Sequence, residues 1–286
     1  MPELTEESAG TVTLGDMKVR RLGFGSMRLT GEGVWGAPDD PEAAKAVLRR
    51  AVELGIDMID TADSYGPYVA ENLIREALHP YPDGLVIATK AGLERTGPGE
   101  WPRNGHPDHL RAAVHGSLKR LGVERIDLLQ LHAVDPKVPL EESLGALIEL
   151  RDQGKIRHLG VSNVSVDEFD RAQALTEIVS VQNRFNLQDR DTEDVLEACT
   201  ERNLPFIPWF PLATGDLAKP GGPLDQIAER HDATPSQIAL AWLLHRSPVM
   251  LPIPGTSSIE HLEENVGAAR ITLTDGDMAE LNAAAA

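Results

Sequence analysis

Eight short apolar runs, near residues 22–26, 56–60, 85–89, 126–131, 156–161, 178–182, 205–208 and 249–253, alternate along the chain with helical patterns near 41–54, 69–78, 107–121, 139–153, 166–175, 190–202 and 235–246. Strands separated by helix-length crossovers pair in parallel, and eight is the number that closes such a sheet into a (β/α)8 TIM barrel. Ahead of the first run, residues Thr11 to Val19 alternate about a Gly15-Asp16 turn and predict an N-terminal β-hairpin. Boundary residues agree. Pro41 suits a first helical turn, Gly55 and Gly122 suit helix ends, and Asp108, just after Pro107, suits the positive end of a helix. No linker or low-complexity block divides the chain, although Pro220-Gly221-Gly222-Pro223 marks a loop. The expectation is one domain over 1–286, with residues 1–10 disordered and Ala283 to Ala286 frayed.

Composition narrows the function. At 286 residues and 41% hydrophobic, the chain can bury a barrel-sized core. No stretch approaches the roughly 20 apolar residues that span a bilayer. The first seven residues are acidic where a signal peptide would be basic, so the expected location is cytoplasmic. A formal net charge of −18 opposes nucleic acid and anionic membranes as partners. The single cysteine, Cys199, excludes an intrachain disulfide framework, and it is expected to be a buried structural thiol.

The chemistry concentrates at the ends of three successive runs. Asp60 closes Ile56 to Ile59 and is followed five residues later by Tyr65; Lys90 closes Leu85 to Thr89; His132 closes Ile126 to Leu131. Singly, Asp60 reads as a turn or cap residue, Lys90 as a surface charge and His132 as a satisfied polar group. In order at successive strand ends they make a catalytic set.

That order resembles the aldo-keto reductase family, whose Asp, Tyr, Lys and His tetrad lies at the strand ends of a (β/α)8 barrel. The resemblance extends through Gly160-Val161-Ser162-Asn163, Val181-Gln182-Asn183, Trp209-Phe210-Pro211-Leu212, Ile253-Pro254-Gly255-Thr256-Ser257-Ser258 and Glu264-Asn265, so it covers nearly the whole chain. It implies reduction of a small-molecule carbonyl substrate by hydride transfer from NADP(H), without a metal. Tyr65 would be the general acid, its pKa of about 10 lowered by the Lys90 ammonium. Asp60 would keep Lys90 charged, and His132 would orient the substrate oxygen.

For the cofactor, the resemblance implies contacts from Gly25, from Ser162, Asn163 and Gln182 to the nicotinamide carboxamide, and from Trp209 stacked on the nicotinamide. Pro211, Leu212 and the loop to Lys219 would cross the pyrophosphate. Gly255, Thr256, Ser257, His261, Glu264 and Asn265 would meet the phosphate and adenosine end, beside a short helix starting near Ser258. Many members carry Lys at position 255 and Arg at position 261, which clamp the 2′-phosphate; here Gly255 and His261 weaken that preference, with NAD(H) the less expected cofactor. Phe24, Met27, Trp35, Tyr68 and Trp101 are candidate pocket residues. The runs Gly33 to Gly36, Ser64 to Tyr68 and Ile253 to Ser258 are similar to those of pyridoxal reductases, which points to pyridoxal or another aromatic aldehyde. About twenty residues follow Asn265, which predicts an open substrate mouth. Oligomeric state has no signal.

Other readings are weaker. Gly23-Phe24-Gly25-Ser26-Met27-Arg28 lacks the third glycine of a dinucleotide-binding turn, and no tyrosine has lysine four residues later. The His106-Pro107-Asp108-His109 cluster begins a helix and has no His-x-His partner, so a solvated face is expected there. A Schiff-base aldolase would need Lys90 neutral. A cofactor-binding regulatory or redox-sensing subunit with little turnover remains the alternative from another class.

Overall fold

The computed structural model of the chain describes residues 3–212 and 222–284. In order it contains α1 (Glu6–Ala9), β1 (Thr11–Leu14), β2 (Met17–Arg20), β3 (Phe24–Gly25), α2 (Pro41–Glu53), β4 (Met58–Asp60), α3 (Val69–Leu78), β5 (Val86–Ala91), α4 (Pro107–Leu121), β6 (Ile126–Leu131), α5 (Leu140–Asp152), β7 (Ile156–Ser162), α6 (Val166–Leu175), β8 (Val181–Gln182) and α7 (Glu193–Glu201). Helices α8 (Pro223–Arg230), α9 (Pro235–Arg246), α10 (Ile259–Gly267) and α11 (Asp275–Ala284) follow. β1 and β2 form the antiparallel hairpin, and β3 to β8 pair in chain order, all parallel.

The seventh and eighth staves lie around Phe206 and Met250 and are joined by isolated parallel bridges, Val181 with Phe206, Arg184 with Trp209 and Phe206 with Met250. Prolines account for this. Pro205, Pro208, Pro252 and Pro254 have no N–H to contribute to a ladder. Their carbonyls still accept: Gly23 N donates to Pro252 O at 2.9 Å and Gly25 N to Pro254 O at 3.4 Å, which joins the last stave to β3. The fold is a closed (β/α)8 barrel.

Strand periodicity decides what faces the barrel interior. Met58, Val86, Ala88 and Leu128 point inward and pack with Ile207, Leu251 and Ile253 on the inner side of the hairpin, Val12, Leu14, Met17 and Val19. Ile59, Ile87, Leu129 and Leu131 point outward into the helix layer. The hairpin turn is latched to β7, where Asp16 meets His158 Nε2 at 2.5 Å and Arg157 at 2.7 Å. One barrel end is thereby plugged with apolar side chains, which leaves the other, at the strand C-termini, for polar chemistry.

Helix ends follow the local sequence. The Asp40 side chain accepts from Ala43 N with Pro41 in the first turn, His106 caps α4 through Asp108 N, and Gly122 closes α4 at φ 69°. The start of the chain departs from the expectation of disorder: over residues 3–10, Leu4 is buried and its N donates to Leu54 O at 2.7 Å, while Thr5 and Ser8 cap α1 reciprocally. A single well-placed leucine in a polar segment holds it down. The expected fraying is absent at Ala283 and Ala284, which close α11; Ala285 and Ala286 lie outside the described residues. Cys199 is fully buried and its thiol is pushed up to about 12 by burial. Among the described residues, no helix is long and apolar enough to cross a membrane.

Candidate active site

The inward row of each strand continues past the apolar layer into a polar one. Two residues beyond Met58 comes Asp60, two beyond Ala88 comes Lys90, and two and four beyond Leu128 come Gln130 and His132. The register sets Lys90 beside Gln130 and Asp60 beside Ala88. All four expected residues meet in the same place. Lys90 Nζ lies 2.5 Å from Asp60 Oδ1 and donates to Thr61 O at 2.9 Å and to Tyr65 Oη at 3.3 Å. The Tyr65 and His132 rings stand edge to face, with centroids 6.0 Å apart. Asp60, at 1% exposure, also accepts from Gln182 Nε2 at 2.9 Å and Gln130 Nε2 at 3.4 Å. A buried carboxylate is tolerable here because each oxygen is met by a donor.

Electrostatics differ in one respect from the sequence expectation. Burial pushes the Tyr65 phenol above its ordinary value, and the Lys90 ammonium only partly opposes this. Tyr65 therefore keeps its proton at neutral pH. Burial works against the Lys90 cation, but Asp60 and Tyr65 outweigh it and the net direction is up, so Lys90 stays charged. Burial, aided by Lys90, holds His132 well below the ordinary imidazole value, so its ring is neutral. Ser64 Oγ lies 3.4 Å from His132 Nδ1. Neither Ser64 nor Gln130 is among the residues expected from the sequence, although Gln130 stands two residues before His132 on the same inward row.

Beyond the tetrad, Asn163 sits at φ 56°, a conformation Asn tolerates better than most side chains. Its Nδ2 donates to His132 O at 2.9 Å and to Ser162 Oγ at 3.0 Å, and its Oδ1 accepts from Trp209 Nε1 at 3.0 Å. Asn163 thus holds the His132 backbone and the Trp209 ring. Gln182 has its Nε2 on Asp60, which leaves Oε1 to accept from a ligand amide. Pro211 is buried, Leu212 packs on the core, and Lys219 lies outside the described residues.

At the rim, a Cβ on Gly255 would lie 2.5 Å from Gly25 O, and one on Gly25 would lie 2.7 Å from Ile253 O. These two glycines let the backbones of the first and last staves cross closely, and a lysine at 255 could enter only with a backbone shift. Ser258 caps α10 by accepting from His261 N, and Thr256 Oγ1 accepts from Ser258 N. Ser257 and His261 are exposed and Asn265 is buried; the Glu264 carboxylate is engaged by Thr234 Oγ1. This set fits a nicotinamide dinucleotide: acceptor and hydroxyl at Gln182 and Ser162, an indole at Trp209, and a capped helix start beside a close backbone crossing.

Pocket candidates divide. Met27 and Trp101 pack with Val34 around Tyr65, with the Trp101 and Tyr65 rings 6.3 Å apart at 84°. Trp35 is 36% exposed at the rim. Phe24 is buried in the core instead. Tyr68, at φ 69°, stacks on the Arg120 guanidinium, which bonds Glu71 in the helix layer, so its ring is committed there and not over Tyr65.

Next to that layer is a second buried acid. Asp63 is pushed up to about 8 by burial first and the neighbouring Glu71 second, and its Oδ1 has no hydrogen-bond partner among the described residues. A carboxyl that holds its proton more tightly when folded gives stability that is present at low pH and is lost as pH rises towards about 8. Asp63→Asn should therefore raise Tm by considerably more at about pH 9, where the buried carboxyl must ionise, than at about pH 5, where it is still protonated in the folded state. Each kcal/mol regained should shift Tm by about 2–4 °C. Thermal melts with equal shifts at both pH values would refute this.

Comparisons with known proteins converge with this geometry. Residues 21–286 match the model of the aldo/keto reductase family. The chain is 56% identical over 274 residues to an uncharacterized oxidoreductase of Schizosaccharomyces pombe, covering 96% of this chain and 89% of that one. It is 41% identical over 281 residues to pyridoxine 4-dehydrogenase of Escherichia coli K12, covering 96% and 98%. An aldo-keto reductase from Klebsiella pneumoniae, solved in complex with NADPH, superposes with a TM-score of 0.81 at 27% identity, over 96% of this chain and 94% of that one. On barrel, strand-end tetrad and full-length similarity together, the chain belongs to the aldo/keto reductase family.

Proposed function

We propose that this protein is an NADP(H)-dependent oxidoreductase that reduces aldehydes or ketones to alcohols, with Tyr65 as general acid and aromatic aldehydes such as pyridoxal as its substrates. The observation that carries this is the Lys90 ammonium, 2.5 Å from Asp60 and 3.3 Å from the Tyr65 hydroxyl at the open barrel end. The chemistry that NADPH supplies when bound is hydride donation from its nicotinamide ring. As negative charge grows on the substrate oxygen, Tyr65 Oη gives up its proton to it, and the phenolate left behind is held by Lys90. His132, neutral, donates a hydrogen bond to the same oxygen through Nε2 while Ser64 donates to Nδ1. Ser162, Gln182 and Trp209 would hold the nicotinamide end. Thr256, Ser257 and the start of α10 would hold the phosphate end.

The cationic state of Lys90 argues against imine chemistry. Similarity to a pyridoxine 4-dehydrogenase supports pyridoxal among the aldehydes, and an NADPH complex of a structural neighbour supports the cofactor. A panel of pyridoxal and simple aromatic aldehydes, run with NADPH and with NADH, tests the reading. Activity on the simple aldehydes with none on pyridoxal would leave a general reductase, and tight NADPH binding with no turnover would favour a regulatory subunit.

Cofactor preference gives a sharper expectation. With glycine at 255 and an exposed histidine at 261, NADPH should bind more tightly than NADH by a smaller margin than a Lys/Arg clamp would give. His261→Arg should widen that margin, since a guanidinium in the first turn of α10 can pair with a 2′-phosphate. Fluorescence titration of both cofactors measures it, and equal or tighter NADH binding by the parent protein would sink the preference.

A further inference from the structure

Arg95, between β5 and α4, has every N–H of its guanidinium on a backbone carbonyl. Nε donates to Glu100 O at 2.9 Å; Nη1 donates to Val34 O at 2.6 Å and Ser64 O at 3.0 Å; Nη2 donates to Gly33 O at 2.9 Å and Gly97 O at 3.3 Å. Those carbonyls belong to three loops at the same barrel end: the one after β3, the one after β4 that carries Tyr65, and Arg95's own. The guanidinium also lies over two indoles, 3.7 Å from the Trp101 ring centroid and 5.6 Å from that of Trp35. Among the described residues Arg95 has no carboxylate partner in an ion pair. An arginine with five carbonyl acceptors, two stacked rings and no counter-ion is a clip rather than a surface charge.

Its position gives the clip a function. Trp101 is held by Arg95 and stands edge to face with the Tyr65 ring, while Trp35, exposed at the rim, meets the same guanidinium. Direct bonds between the loops run the same way: Gly36 N to Gly66 O, Gly66 N to Val34 O, and Gly99 N to Gly33 O. Without Arg95, Trp101 loses the contact that fixes its plane, and three glycine-rich loops must hold the mouth by these few backbone bonds. From this geometry we infer that Arg95 is a positioning residue for substrate specificity: it assembles an aromatic mouth beside Tyr65 that selects flat aromatic aldehydes over small aliphatic ones. The inference rests on the carbonyl-reductase reading.

The test compares Arg95→Met and Arg95→Lys with the parent enzyme. Loss of ordered Trp35 and Trp101 as ring partners should raise KM for benzaldehyde by roughly tenfold in Arg95→Met. The KM for propionaldehyde should change by less than about threefold, and kcat should fall little for both, because Tyr65 and Lys90 are untouched. Arg95→Lys, with three donors for five acceptors, should lie between. Hydrogen exchange should rise together in peptides covering residues 31–36, 64–66 and 97–101. Equal KM increases for both aldehydes, an unchanged benzaldehyde KM, or exchange confined to the loop of Arg95 itself would overturn the inference. Should Arg95→Met fail to fold, Arg95→Lys carries the same measurements. If the parent enzyme reduces no carbonyl compound with NADPH, the functional reading falls, and the exchange experiment still decides whether Arg95 clips the three loops.

Discussion

Tyr65→Phe should lower turnover by about 10²–10⁴-fold while leaving NADPH affinity nearly unchanged. The substitution removes one oxygen whose only hydrogen bond among the described residues is with Lys90 Nζ and keeps the ring that packs with Ala62, Ala70 and Trp101. Lys90 retains Asp60 and Thr61 O as partners, so the buried cation is still satisfied. What disappears is the proton for the substrate oxygen, and no other group is suited to supply it: Lys90 is held by Asp60, and the His132 ring is neutral and buried. The direction of the Tyr65 shift adds a pH signature. Because burial holds the phenol above 10.0, the proton donor should stay loaded across the neutral and mildly alkaline range, and the rate should fall only beyond the ordinary phenol value. Retention of more than about a tenth of parental turnover, with chemistry rate-limiting, would mean that another group is the acid.

The parts of the site that were legible in the sequence are those set by strand periodicity and chain order. Asp60, Lys90 and His132 each end an apolar run, and a strand end in a barrel of this kind faces the open rim. What escaped were contacts across long separations in sequence. Gln130 and Gln182 reach Asp60 from 70 and 122 residues away, and Arg95 reaches Gly33 across 62. Nothing local marks such partners. Tyr68 misled for a backbone reason: its left-handed φ turns the ring to Arg120, although its place in the Tyr65 loop suggests the pocket. Gly255 shows a similar limit, since a missing charge was visible in the sequence but the crossing with Gly25 O that excludes a side chain was not. In the last two staves the apolar runs are legible, yet prolines reduce their pairing to isolated bridges.

Lys90→Met should cost both activity and stability, and a second substitution should separate the two. The methionine leaves Asp60 buried with only the Gln130 and Gln182 amides against its charge, and breaking a buried pair by removing one partner costs about 3–5 kcal/mol. At about 2–4 °C of Tm for each kcal/mol, the melting point should drop by roughly 6–20 °C. Asp60→Asn presents the opposite imbalance, a lysine with no carboxylate at 0% exposure. Desolvation then favours the neutral amine, which can condense with an aldehyde, so borohydride should trap substrate on Lys90 in this variant and not in the parent. In the double variant Lys90→Met/Asp60→Asn neither charge remains, and most of the lost stability should return. Activity should not, because the cation that stabilises the Tyr65 phenolate is gone. A double variant as unstable as Lys90→Met would show that the cost lies in packing around the methionine. One that regained turnover would remove Lys90 from the chemistry altogether.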